Sequence, residues 1–583
     1  MNLENMLKST FKENDIRNYF YANKFLIKKD ELNTIEEKNN YETIIKLMAM
    51  NEDYKNLNNA FENKITHKNE LDNEDEELLK KIKQLDIEKF PLIVSTRIYD
   101  VLWSKFHDLS CGNNAVKKYL ELFEIVYDSI HWTWCLNVIY RATVIAAQIG
   151  KDNPLFNDCI NKIVEKLNLM DGNDENFLSI ELVELLEVQK HNDKCMLLNI
   201  LDKIIAKAKL DNKMHKVETA YTLKLKIEKD PNKKKIIKLE MAEYYEIEAD
   251  KKEENDSRNI FNKIDYLQSA VHNYNESGEK EKSNRVMKKL EDSQKNINKC
   301  MTKIKSETID CTEMVLEIKK DMEDLNFEEA IIRLVQYTKF HKKDEIKKRV
   351  LKKYKNFIGM SLFGQKIVDK EGKTLIELPG LDFNNPEKDE KVFELYMFRE
   401  ALSAQEIEGF ILSIILNEII NKYNFEKEDI RFLVCDNVII PDGRENIILN
   451  GIYLGLKGDY YSSLHILAPQ IENLFRNIAK EAGGITFTLE NDNTSKVKVL
   501  SSVFEIEELK ECYNEDILFL FKGLLNEQAG ANIRNDIGHG IIDEEKANSS
   551  LGVYFLCAVI KLCCLTSKEA TNILKNSKKL NKK

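Results

Sequence analysis

From Phe90 onward the apolar residues fall three and four positions apart, a period that admits little besides α-helix. Ile98, Leu102 and Phe106 recur at every fourth position with Tyr99 and Trp103 beside them, one face of an amphipathic helix laid on a core. A second such helix is expected from about Asn114 to His131, and a third carries Trp132, Trp134, Ile139, Val144 and Ile149. The tryptophan pair sits inside a strongly apolar segment, so core packing is expected of it rather than a platform for stacking bases. Seven prolines and twenty glycines in 583 residues leave long regular segments uninterrupted. Asp230-Pro231 ends one helix and starts the next, and Glu276 to Gly278 turns between two more.

Before Phe90 the chain is polar, with helically spaced but sparse apolar positions (Tyr41, Ile44, Ile45, Leu47) and an acidic run from Asn69 to Glu77 that reads as solvated. The segment from Tyr266, with Ala270, Tyr274 and Gly278 at its turn, resembles half of a tetratricopeptide-type hairpin. No repeat of about 34 residues recurs, so a helical-repeat-like array is predicted, of the kind that offers a surface to a protein partner. The lysine runs at 233–235, 342–343, 347–348 and 352–353 read as solvated helix faces.

The helical rhythm breaks at 357–380. Gly372-Lys373-Thr374 invites a phosphate-loop reading, but Ile367 stands where that motif needs glycine, so no nucleotide or other cofactor is expected. A β-hairpin turning at Asp369 to Gly372 is predicted instead. An Ile- and Leu-rich helix from Ala404 to Tyr423 follows. Asp442 and Glu445 then have capping-box spacing, which predicts a helix through about Leu456. The expected fold class is mainly all-α. Its expected parts are a polar helical segment (1–85), a repeat-like array (86–350), a connecting region with the hairpin (351–427) and a C-terminal helical bundle (428–583).

The eleven cysteines include no C-x-x-C pair, so neither a disulfide framework nor a metal site is expected, and Cys563-Cys564 reads as buried in an apolar helix. A start of MNLENMLKST lacks a signal-peptide core and no apolar run has transmembrane length, so a cytoplasmic protein with no membrane partner is expected. A net charge of −11 means that any nucleic-acid binding must come from a local patch.

Two stretches of the bundle carry chemistry. The helix from Asp459 to Glu481 has an apolar side (Leu464, Leu467, Ile471, Leu474, Phe475, Ile478) and a polar stripe of His465, Glu472 and Arg476, spaced to lie near one line. Pro469 should kink it and Gly483-Gly484 stop it. A His-Glu-Arg stripe on a core helix is costly unless paired or solvent-lined; the bland reading is a Glu472–Arg476 surface pair. The second stretch, GANIRNDIGHGIID from Gly530, places Arg534, Asn535 and His539 within six residues. An unbroken helix would splay Arg534 from His539 by roughly 140°, so they converge only if the helix starts or breaks here, or if each faces a second copy of the chain. Histidine serves as acid or base near neutrality, arginine grips phosphate, and Asn535 is expected to orient the imidazole from one turn back. The last helix, Ser550 to Leu565, is apolar nearly all round and reads as a buried strut or half of a dimer interface.

Arg-Asn-x-x-x-His resembles the R-x4-H motif of the HEPN superfamily of ribonuclease domains. The wording from HILAPQIENLFR to ANIRNDIGHG is similar to a bacterial family carrying that motif near its C-terminus. The resemblance runs over roughly residues 428–583 and implies a metal-independent endoribonuclease in prokaryotic defence or growth arrest. Two chains would line one RNA cleft and leave a cyclic phosphate; Arg534, His539 and Asn535 would be catalytic, and His465, Glu472 and Arg476 supporting. Two other expectations stay open: a non-catalytic scaffold or sensor that dimerises or binds RNA through the bundle, and a motif that only caps its turn.

Overall fold

The computed structural model describes residues 1–11, 28–50, 53–54, 60–61, 76–127, 132–191, 193–253, 257–300, 310–490 and 494–580. They are mainly α-helical, with two small antiparallel two-stranded sheets, so the fold is all-α. The chain forms two compact units, Met1–Glu253 with Asn262–Leu290, and Glu254–Phe261 with Glu291–Lys583. Among the described residues no helix is long and apolar enough to cross a membrane.

In the first unit, α1 (Leu92–Phe106), α2 (Leu109–Tyr127) and α3 (Trp132–Ile149) pack consecutively. The second helix therefore starts five residues before its expected position, and its expected end at 128–131 lies outside the described residues. Gly112 lets α2 lie against α1, because a Cβ there would meet the Trp103 ring at 2.7 Å. Trp132 and Trp134 are half-buried. At the centre, fully buried Asp100 accepts from Arg141 Nε (2.9 Å) and Nη2 (2.7 Å) and from the Tyr119 hydroxyl (2.7 Å). Burial opposes its charge, but Arg141 and Tyr119 hold the carboxyl below the ordinary range. The sparse apolar positions Tyr41, Ile44, Ile45 and Leu47 are all buried on the helix Ile35–Ala49. Of the acidic run, residues 69–75 lie outside the described residues, and Glu76 and Glu77 begin a short helix.

Asp230 caps α4 (Pro231–Asp250), its carboxylate accepting from Asn232 N, with Pro231 at the first helical position. The tetratricopeptide-like segment forms α5 (Ser257–Ser277) and α6 (Lys280–Lys295), joined at Gly278 with φ +93°. Ala270 and Tyr274 are buried, and the Tyr274 hydroxyl donates to Glu246 at 2.9 Å.

The second unit contains α7 (Phe327–Tyr337), the hairpin β1 (Gln365–Val368) and β2 (Thr374–Leu378), α8 (Glu390–Lys422), α9 (Glu445–Leu456) and α10 (Tyr460–Glu481). A second hairpin, β3 (Phe487–Leu489) and β4 (Ser495–Val497), precedes α11 (Glu515–Leu525), α12 (Ile533–Gly538) and α13 (Ser550–Thr566). The first hairpin turns as predicted: Asp369 Oδ1 accepts from the amides of Glu371 and Lys373, and Gly372 sits at φ +81°. The second was not anticipated. α13 is the buried strut, with Cys563 and Cys564 inside it, packed on α7, α8 and α10. The α8 backbone comes so near that Gly409 has no room for a Cβ beside the carbonyl of Ser550.

Ile331 and Val335 of α7, Leu412 and Ile415 of α8 and Tyr554 and Val559 of α13 share one core, on either side of positions 350/351 and 427/428. Two expectations need correction. α8 begins at Glu390, well before Ala404, because Asp389 caps it by accepting from the amides of Lys391 and Val392. The Asp442–Glu445 capping box does not form. Gly443 turns the chain at φ +76° between Asp442 and the helix, and Arg444 takes the cap position without a side-chain bond.

Candidate active site

α12 is six residues long, and both of its ends are set by backbone that ordinary side chains avoid. Asn532, before it, is left-handed at φ +54°, and Gly540, after it, at φ +67°. Asp536 ties the two ends: its Oδ1 accepts from Asn532 Nδ2 (3.3 Å), its carbonyl accepts from Ile541 N (2.8 Å), and its Oδ2 pairs with Lys546. Arg534 lies in the first turn and His539 is the C-cap, still in right-handed helical backbone (φ −95°, ψ −2°), so the helix runs unbroken between them and the splay of roughly 140° remains within one chain. The guanidinium folds back along the helix, since a Cβ on Gly538 would stand 3.4 Å from Arg534 Nη1. The His539 ring is exposed, with no hydrogen-bond partner among the described residues.

Glu472 joins the two stretches that the sequence singles out. It is 7 % exposed on α10, which buries its apolar side as expected. One carboxylate oxygen accepts from Arg476 Nη2 at 2.6 Å and the other from Arg534 Nε. A carboxylate so enclosed needs such partners. Arg476 Nη2 also donates to the Lys498 carbonyl at 3.1 Å, at the base of the second hairpin, while its Nε is buried without a partner. Arg534 Nε is bonded to Glu472, its side chain is 38 % exposed, and its terminal nitrogens have no hydrogen-bond partner among the described residues.

Two expected roles are not met. The Asn535 amide donates to Asn532 Oδ1 (2.8 Å) and the Asn526 carbonyl (3.3 Å), so it fastens the loop instead of aiming its nitrogen at the imidazole. His465 turns the other way along α10. Its Nδ1 meets the Tyr461 carbonyl at 2.8 Å and its ring lies on that tyrosine, centroids 4.2 Å apart. Two turns, about 10 Å of helix, separate it from Glu472. Arg534, Glu472 and Arg476 form one connected group, and His465 stands outside it.

Beside that group is an open cleft of about 610 Å³, lined by Ile485, Lys498, Ser501, Glu505, Lys522 and Glu527. Burial pushes the Glu527 carboxyl up; Lys522 opposes this, and Glu394 and Glu505 add to it. None of these residues has a local motif that sequence reading could have used. On the other flank, Lys370 at the tip of the first hairpin bridges Asp543 (2.8 Å) and Glu545 (2.6 Å), and it holds the Asp543 carboxyl below its ordinary range. Among the described residues no group of three or more His, Cys, Asp or Glu side chains is placed to hold a metal ion.

The comparison with protein families matches residues 8–158 to a domain of unknown function, DUF7380. The match lies within the first unit, covers well under half of the chain and leaves α10 and α12 outside it. No curated protein and no solved structure matches the chain.

Proposed function

We propose that the second unit is a metal-independent endoribonuclease of HEPN type, and that the first unit senses or targets. The observation that carries this reading is the Arg534–Glu472–Arg476 group, with exposed His539 five residues after Arg534 at the end of the same short helix. A fixed guanidinium with free terminal donors suits the charge that builds on a phosphorane, and an exposed imidazole suits transfer of the 2′-hydroxyl proton. The 2′-oxygen attacks phosphorus, the 5′-oxygen leaves with a proton, and a 2′,3′-cyclic phosphate remains. Each chain has one motif histidine, so separate base and acid histidines call for a second copy. The setting we propose is prokaryotic defence or growth arrest, in the cytoplasm.

One observation favours a second reading, a non-catalytic scaffold or sensor. Glu472 binds both arginines, offsetting one of their two charges, and Asn535 is spent on its own loop, as in a purely structural motif. The test incubates wild type, Arg534→Ala and His539→Ala with total cellular RNA in EDTA and sequences the fragment ends. Cyclic-phosphate ends from wild type alone support the nuclease. Growth arrest or phage protection that survives both substitutions ends that reading in favour of the scaffold.

A further inference from the structure

The second hairpin has a face that the rest of its unit leaves bare. β3 and β4 pair Phe487 with Val497 and Leu489 with Ser495, and the ladder continues through Lys498 N to the Thr486 carbonyl at 3.0 Å. Alternation therefore puts Ile485, Phe487, Leu489, Val497 and Val499 on one side, and the threonines, Lys496 and Lys498 on the other. The five apolar side chains are 63 %, 49 %, 68 %, 61 % and 65 % exposed. A two-stranded hairpin is marginal by itself, and one with a continuous apolar face is an interface without its other half.

We infer that a second copy of the chain covers this face, the two hairpins packing apolar side to apolar side about a two-fold axis. Apart from Ser495 opposite Leu489 the face is apolar, so it can pack on its own copy, as a two-fold interface must. At roughly 150–200 Å² per side chain, the exposed fractions leave about 500 Å² per copy and about 1,000 Å² across the pair, where specific interfaces begin. The hairpin base is also held by the site's own arginine, through Arg476 Nη2 and the Lys498 carbonyl. Pairing there would bind the second copy to the side-chain network that fixes Arg534. The docking stands on the exposed face alone; the further claim, that the second copy supplies the other histidine, rests on the nuclease reading.

The test measures the mass of the full chain in solution by light scattering and sedimentation. Wild type and Thr488→Lys, on the polar side, should be dimers. Phe487→Lys/Val497→Lys should be a monomer with unchanged helical circular dichroism and at least tenfold slower RNA cleavage, and Leu489→Lys provides an independent break. A monomeric wild type, whose face then serves some other partner, overturns the proposal, as does a double variant that stays dimeric. A monomeric variant that cleaves RNA at the wild-type rate keeps the interface and removes the shared-histidine claim. Loss of the dimer in a chain that never cleaves RNA keeps the interface and counts against the nuclease reading.

Discussion

Glu472→Ala removes the acceptor that two guanidiniums share. A charge-assisted hydrogen bond contributes about 1.5–3 kcal/mol when enclosed, and much less where water screens it. The Glu472 side chain is 9 % exposed, Arg476 20 % and Arg534 38 %. The Arg476 bond is therefore set at about 1–2 kcal/mol and the Arg534 bond at about 0.5–1 kcal/mol, or roughly 1.5–3 kcal/mol together. For a unit of this size that corresponds to a fall in Tm of about 2–5 °C. All three tryptophans (Trp103, Trp132, Trp134) belong to the first unit, so their fluorescence should report an unchanged transition there. Hydrogen exchange in α10 and α12 should accelerate. The two arginines, left without a counter-charge, would accept an anion in the vacated place. Sulfate or phosphate should therefore raise the Tm of Glu472→Ala by more than that of wild type, and Glu472→Gln, which keeps an acceptor, should lose about half as much. A variant with unchanged exchange and no anion effect would show that Glu472 does not join the arginines in solution, and the site as described would fall.

Gly538→Ala should stabilise α12 by up to about 1 kcal/mol, since alanine is the better helix former, yet slow RNA cleavage several-fold by crowding Arg534. Melting and kinetics would thus move in opposite directions. Burial pushes the Glu408 carboxyl up despite Lys339, whose Nζ lies 3.7 Å away. The folded state then holds that proton more tightly than the unfolded one, so the associated stability is full below the ordinary value of 4.5 and drains away as pH rises through the raised folded value. Glu408→Gln should flatten this loss and melt higher than wild type above that window, as a pH series of Tm values would show. Asp100→Asn should cost about 3–5 kcal/mol by leaving Arg141 buried without its counter-charge, read by tryptophan fluorescence in the first unit.

Much of the site was legible because its parts repeat at helical spacing. The four-residue step from Glu472 to Arg476 is readable along one helix, whereas the partner across 62 residues, Arg534, becomes visible only once α10 and α12 are folded. Asn535 was misjudged for a local reason. Reaching the imidazole from one turn back assumes a continuing helix, and the left-handed Asn532 offers its amide a nearer acceptor. The contact of Arg476 with Lys498 uses a main-chain oxygen, which no side-chain pattern announces. β3 and β4 are three residues each, too short for alternation to stand out from chance. The core that α8 shares with α7 and α13 is not readable, because the Ile/Leu stripe of α8 shows that a partner exists without saying which.

The depth at which α13 is buried has a consequence for how the chain comes into being. α7 and α8 leave the ribosome early, but the helix that fills the space between them is made only after α9 to α12. Until then the sides of α7 and α8 that face α13 lack their native cover and depend on transient contacts or chaperones. The pocket holding Arg534 cannot rigidify before α13 arrives, so a nascent chain would carry a folded first unit and an inert second one. For the nuclease proposed above, that order of synthesis would keep the site inert until the second unit is nearly complete.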